Sequence, residues 1–163
     1  MDNQSLFTVE SSAFRNGGDI PAKYATTRVP GGQNISIPLS WKNAPEGSKS
    51  FVIAMVDRHQ IASNWVHWIV INIPGDVDSI PEGASGTSQM PQGIKELINT
   101  FGSVGYGGPQ PPPGSGAHDY ETTVYALRVE AIDLTGAVCA RELEGVLQGQ
   151  TIDSTKIVGK YER

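Results

Sequence analysis

The sequence predicts a single all-β domain, a sandwich or a barrel, with two short helices near its C-terminal end. Three observations carry that prediction. Apolar and polar residues alternate with a period of two along several segments, as they do in half-buried strands. The 163 residues include 19 glycines and 11 prolines, which punctuate those segments with turns. Apolar spacing of helical period occurs only in the last quarter. The length is that of about one domain, and no repeat or boundary divides it.

The first strand predicted is Asn34–Trp41, in which Ile35, Ile37, Leu39 and Trp41 alternate with polar residues; Pro38 marks it as an edge or a bulge. Ser50–Val56 is a short continuous apolar run, as a strand buried on both faces would be. Trp65–Ile73 alternates Trp65, His67, Ile69, Ile71 and Ile73 on one face against Val66, Trp68, Val70 and Asn72 on the other. Tyr120–Ile132 is the longest strand expected, with Tyr120, Thr122, Val124 and Ala126 opposite Glu121, Thr123, Tyr125 and Leu127. Ala140–Leu147 has Leu143, Val146 and Leu147 at helical spacing, with Gly149 as its stop. Ile152–Tyr161 reads as the second short helix. Two long loops separate these elements, Pro74–Gly93 and Gly102–Gly116; the second holds six glycines and four prolines. Long loops without elements of their own are commonly functional.

Composition excludes several classes of function. A net charge of −5 argues against nucleic acid as a partner, because phosphate tracking needs a basic surface. The longest apolar run, Phe51–Val56, falls far short of the ~20 residues that span a bilayer, so no integral membrane contact is expected. The first residues lack the basic and apolar regions of a signal peptide, and a cytoplasmic location follows as the expectation. Cys139, the single cysteine, allows neither an intramolecular disulfide nor a cysteine-based zinc framework; it reads as a small buried hydrophobe.

The three histidines each lie within or at the end of a predicted strand. His59 follows Asp57 by two, which places both side chains on one face of an extended chain. His67 lies between Trp65 and Trp68, and His118 precedes Tyr120 by two, directly after the Gly/Pro loop. A histidine on an apolar strand is ordinarily a satisfied core residue, and Asp57 reads equally as a turn cap. Together, strand ends beside a long loop are a common way to line a pocket on a rigid scaffold. No catalytic nucleophile stands out: there is no GxSxG, HExxH or GxxxxGK[ST]. Gly105-Tyr106-Gly107 is followed by Pro109–Pro113 instead of the helix a dinucleotide site requires. No cofactor is implied.

Several blocks carry a family resemblance. They are Ile20-Pro21-Ala22-Lys23-Tyr24; Asn34 through Trp41; Pro45-Glu46-Gly47; Asp57-Arg58-His59; His67-Trp68-Ile69-Val70-Ile71-Asn72-Ile73-Pro74; Gly105-Tyr106-Gly107-Gly108-Pro109-Gln110-Pro111-Pro112-Pro113-Gly114; and His118-Asp119-Tyr120. From Gly17 to Arg163 the chain resembles the phosphatidylethanolamine-binding protein family, which includes the Raf kinase inhibitor protein, and its ending resembles the microbial branch. The resemblance implies an antiparallel β-sandwich with Greek-key connections, one or two C-terminal helices, and cis peptide bonds near the pocket. It also implies a pocket for small phosphate-type anions formed by Asp57, Trp65, His67, Gly108, Pro111, Pro112, His118 and Tyr120. Inhibition of a kinase or protease and a homodimer are further family associations.

In such a pocket both imidazoles are expected to donate to a phosphate oxygen and the Tyr120 hydroxyl to add a third donor, while Asp57 either bonds a histidine or receives a cationic ammonium or a protonated phosphate. The chain departs from the family twice. An Asp-Pro-Asp has become Asp57-Arg58-His59, and a His-Arg-Tyr has become His118-Asp119-Tyr120. A reversed pair between His59 and Asp119, behind the ligand residues, accounts for both changes together. The leading function is non-enzymatic binding of a small anionic ligand. The alternatives are a hydrolase using Asp57, His67, His118 and Tyr120 as acid–base groups, or a histidine-based metal site; no metal is assigned.

Overall fold

A computed structural model describes residues 5–163. Eight strands and one α-helix follow in chain order: β1 Thr8–Glu10, β2 Leu39–Lys42, β3 Ser50–Asp57, β4 Trp65–Pro74, β5 Ser79–Ile80, β6 Lys95–Glu96, β7 His118–Leu127, α1 Ala140–Leu147 and β8 Thr151–Tyr161. They form a three-stranded sheet, β1-β2-β5, and a five-stranded sheet, β6-β4-β3-β7-β8. Every strand pairing is antiparallel.

One core lies where the two sheets meet. Val9, Leu39, Trp41 and Ile80 from the small sheet pack with Phe51, Ile53, Met55, Trp68, Val124 and Ala126 from the large one. A second core covers the opposite face of the large sheet, where Val52, Ala54, Val56, Ile69, Ile71 and Leu127 meet Ala140, Leu143 and Leu147 of α1. The large sheet is therefore buried on both faces, and β3 at its centre has all eight residues buried. That double burial is why β3 reads as a continuous apolar run, whereas an exposed face would have imposed alternation.

The predicted strand Asn34–Trp41 contracts to β2. Asn34 adopts a left-handed conformation at φ 52°, which ends any extended run there, and regular pairing begins only after Pro38. β7 stops at Leu127 rather than Ile132, with its predicted alternation intact: Tyr120, Val124 and Ala126 face the inter-sheet core and Leu127 the other. The helix Ala140–Leu147 lies where its spacing predicts. Cys139 caps it, its sulfur accepting from the Glu142 amide at 3.4 Å, and is exposed rather than buried.

The second predicted helix is absent. Ile152–Tyr161 belongs to β8, the edge strand that pairs with β7 along nearly its whole length. Its β-branched residues and the ten-residue β7 beside it outweigh a helical spacing too short to sustain itself. All peptide bonds of the described residues are trans, so the expected cis bonds in the Gly/Pro loop are not found.

Strict alternation fails in β4, for an identifiable reason. Met55 pairs with Trp68 but Val56 with Val66, leaving His67 as an extra residue in a β-bulge. A second register shift lies between Val70 and Ile73, where Asn72 has φ 60°. Val66, Ile69 and Ile71 consequently share the α1 face, while Trp68, Val70 and Ile73 face the small sheet. The bulge separates His67 from Ile69 and Ile71 and brings its ring against Tyr120, at 5.0 Å between centroids.

Candidate ligand-binding site

The ends of β3, β4 and β7 meet at one end of the large sheet. Asp57 closes β3 opposite Tyr120 in the ladder, and both are almost fully buried. The Asp57 carboxylate engages two donors: Oδ1 accepts from the His59 amide at 2.9 Å, and Oδ2 accepts from His118 Nδ1 at 2.7 Å. The expectation that Asp57 bonds a histidine thus identifies His118 as the partner. Because Nδ1 carries that proton, Nε2 is the free basic edge of a neutral His118 ring. It lies 2.8 Å from the Ser115 hydroxyl.

His59 does not pair with Asp119. Its ring stacks on that of His118 at 3.9 Å, only 7° from parallel, and its Nδ1 accepts from the Ile61 amide at 3.2 Å. Asp119 points to the opposite side of the strand, 3.8 Å from Lys160. The Asp57–His59 turn wraps the histidine back over the pocket, away from any cross-strand partner.

His67 is held differently. Its Nδ1 is 2.7 Å from the Gly107 carbonyl and 3.1 Å from that of Gly108, so Nδ1 is the donor. Burial pushes its pKa down from 6.5 to about 4, against a smaller opposing pull from the Gly107 carbonyl and Asp57. At neutral pH the ring is uncharged and its Nε2 is an acceptor. The expectation that both imidazoles donate to a ligand therefore fails for His67.

The Gly/Pro loop owes its position to contacts that local sequence does not reveal. Asn34 grips it at two points, Nδ2 donating to the Tyr106 carbonyl at 3.2 Å and Oδ1 accepting from the Gly108 amide at 2.8 Å. Tyr106 donates its hydroxyl to the Tyr24 carbonyl at 2.8 Å. Gly108 packs so closely that a Cβ there would sit 1.9 Å from the Tyr24 carbonyl oxygen. Phe101 rests on the bare Cα of Gly107 and meets both Trp65 and His67 edge-on, at 5.2 and 5.4 Å.

These groups enclose a cavity of about 360 Å³. Asp57, Trp65, His67, Pro111, Pro112 and His118 line it, together with Arg28, Ile61, Ala62, Phe101 and Gln110. Gly108 and Tyr120 stand behind this wall. The Tyr120 hydroxyl is buried with no hydrogen-bond partner among the described residues, and burial raises its pKa. A second, more polar cavity of about 270 Å³ adjoins the first across Arg28, Phe101 and Gln110.

Sequence reasoning missed Arg28, Phe101, Gln110 and Ser115. Ser115 carried a signal in its spacing, three residues before His118 in the loop. Arg28 carried none, since only the folded chain brings the Tyr24–Val29 segment to β4. Among the described residues the Arg28 guanidinium makes no ion pair, and no group of three or more metal-ligating side chains is assembled. No helix of the described residues is long and apolar enough to cross a membrane.

Comparison with known proteins gives a consistent picture. The family model described as phosphatidylethanolamine-binding protein matches residues 10–162. A protein of Aquifex aeolicus, described as a UPF0098 protein, is 36% identical over 159 residues, covering 98% of this chain and 90% of its own. The crystal structure of Escherichia coli YbcL, titled a new member of the mammalian PEBP family, superposes with a TM-score of 0.89 at 31% identity, covering 98% of this chain and 99% of YbcL. The PEBP homolog CT736 from Chlamydia trachomatis gives 0.80 at 32% identity, covering 97% and 98% of the two chains.

Proposed function

The chain belongs to the phosphatidylethanolamine-binding protein family, and on that premise we propose that its cavity binds a small anionic ligand of phosphate type. One observation carries the reading. The cavity's carboxylate is occupied by two protein donors, while its guanidinium, Arg28, makes no ion pair among the described residues. An oxyanion entering this space meets a guanidinium with no ion-pair partner among the described residues and a carboxylate whose oxygens are already engaged by protein donors. Arg28 can hold a phosphate or carboxylate through two parallel N–H bonds. His67 Nε2, an acceptor at neutral pH, suits the O–H of a monoprotonated phosphate. Ile61, Trp65 and Phe101 form an apolar rim for whatever the anion is attached to.

The reading asks only for binding. A phosphorylated side chain presents the same chemistry as a lipid headgroup, so regulation of a kinase or protease would use the same pocket. Titration with inorganic phosphate, O-phosphoethanolamine and O-phosphoserine, followed by the imidazole NMR signals with chelator present, tests the proposal. Signals of His67 and His118 are expected to move at millimolar ligand, with Arg28→Ala weakening affinity about tenfold, the loss expected of one charge-assisted contact. Unmoved signals, or equal affinity in Arg28→Ala, would refute it.

A further inference from the structure

Ser115, His118 and Asp57 lie in line. Ser115 Oγ is 2.8 Å from His118 Nε2, and His118 Nδ1 is 2.7 Å from Asp57 Oδ2. We propose that this line is a nucleophile, base and carboxylate that hydrolyse small carboxylic esters, an activity that shares Asp57, His118 and the cavity with the anion-binding reading above but adds Ser115. Distances of this size are those of an activated serine, and the arrangement is recognised by geometry and roles, not by chain order or a surrounding motif.

The supports of each member agree with its role. Asp57 is buried, and its second oxygen is fixed by the His59 amide, so it is a positioning residue that sets the tautomer of His118. His118 is buried and immobilised by the ring of His59 stacked on one face, which leaves Nε2 to face the serine. Ser115 is only partly buried. It occupies a turn between Gly114 and Gly116, both at positive φ, in the segment between Pro112 and His118, two residues that line the cavity.

Its hydroxyl is also 2.7 Å from the Pro112 carbonyl. That carbonyl accepts the Ser115 amide as well, so it keeps a partner when the hydroxyl proton turns toward His118. The amides of Gly116 and Ala117, which directly follow the serine, donate to no protein acceptor among the described residues and are available to a developing oxyanion.

The step balances with water alone. The Ser115 proton passes to His118 Nε2 as Oγ bonds the ester carbon. The alcohol leaves with that proton, and an acyl-serine remains. Water then gives a proton to His118 and its oxygen to the acyl carbon. The carbon–Oγ bond breaks, and the serine recovers its proton. The apolar side of the cavity, at Ile61, Ala62 and Trp65, selects a short acyl or aryl group.

The test combines a fluorophosphonate probe, which labels activated serines with loss of fluoride, with p-nitrophenyl butyrate hydrolysis. Label on the peptide containing Ser115, and a rate at least tenfold lower in Ser115→Ala, are the expected results. Asp57→Asn should lower kcat while leaving KM unchanged. Ser115 is in a loop outside the sheets, so Ser115→Ala is expected to fold, and unchanged phosphate binding by it would separate this activity from the anion site. Label elsewhere, no label, or a Ser115→Ala rate within tenfold of the parent would overturn the proposal; the last would assign any ester cleavage to imidazole alone.

Discussion

Protonation of His67 should destabilise the fold in a defined pH window. In the folded protein burial holds its pKa near 4, against 6.5 in an unfolded chain. Above pH 6.5 both states carry neutral imidazole, and the folded state incurs no penalty. As pH falls below 6.5 the unfolded chain takes up a proton that the folded chain refuses, so stability declines until about pH 4, where the folded protein protonates too. At about 1.4 kcal/mol per pH unit, the full loss across that window is about 3 kcal/mol.

Urea denaturation followed by tryptophan fluorescence at several pH values between 7.5 and 4 measures it. Comparison with His67→Gln isolates the contribution, because the carboxylates that titrate in the same range are common to both chains. The stability advantage of the parent over His67→Gln should shrink by about 3 kcal/mol between pH 7.5 and 4. An advantage that stays constant over this range would refute the reasoning. So would a His67 ring signal that titrates near 6.5 in the folded parent, a measurement that does not depend on the variant folding.

Three further outcomes follow from packing. Gly108→Ala drives a Cβ to 1.9 Å from backbone and should cost about 3 kcal/mol or more, read as a lower urea midpoint. Asn34→Gly loses the two side-chain hydrogen bonds but tolerates the positive φ, whereas Asn34→Ala loses both; Ala should be the less stable by about 1 kcal/mol, measured by thermal unfolding. Leu143→Ala, in the core on the far side of the sheet, should cost about 2–5 kcal/mol while phosphate shifts at His67 and His118 are retained. Loss of those shifts in a folded Leu143→Ala protein would show that the two faces are coupled.

Much of the site was legible because strands report themselves locally. Asp57, His67, His118 and Tyr120 each fall at the end of a strand or inside one, and a period of two gives the facing of all but His67. That exception has a cause: the bulge at His67 inserts one residue into the ladder, and no local pattern distinguishes a bulged histidine from a paired one. The same limit explains β8. Ile152–Tyr161 carries spacing compatible with a short helix, and only the neighbouring edge of β7 decides that it pairs as a strand.

The sequence by itself determined the class of fold, the buried central strand, the position of α1 and the residues that resemble a known family, because periodicity, turn chemistry and motif order are properties of neighbours along the chain. Tertiary structure alone decided which protons the site holds. The partner of Asp57 is His118, sixty-one positions away; the acceptor of His67 is the Gly107 carbonyl, forty positions away; and Arg28 reaches the cavity from a segment before β2. Tautomer, charge and the line from Ser115 to Asp57 depend on distances of about 3 Å between groups remote in sequence, and those distances exist only once both faces of the large sheet are packed.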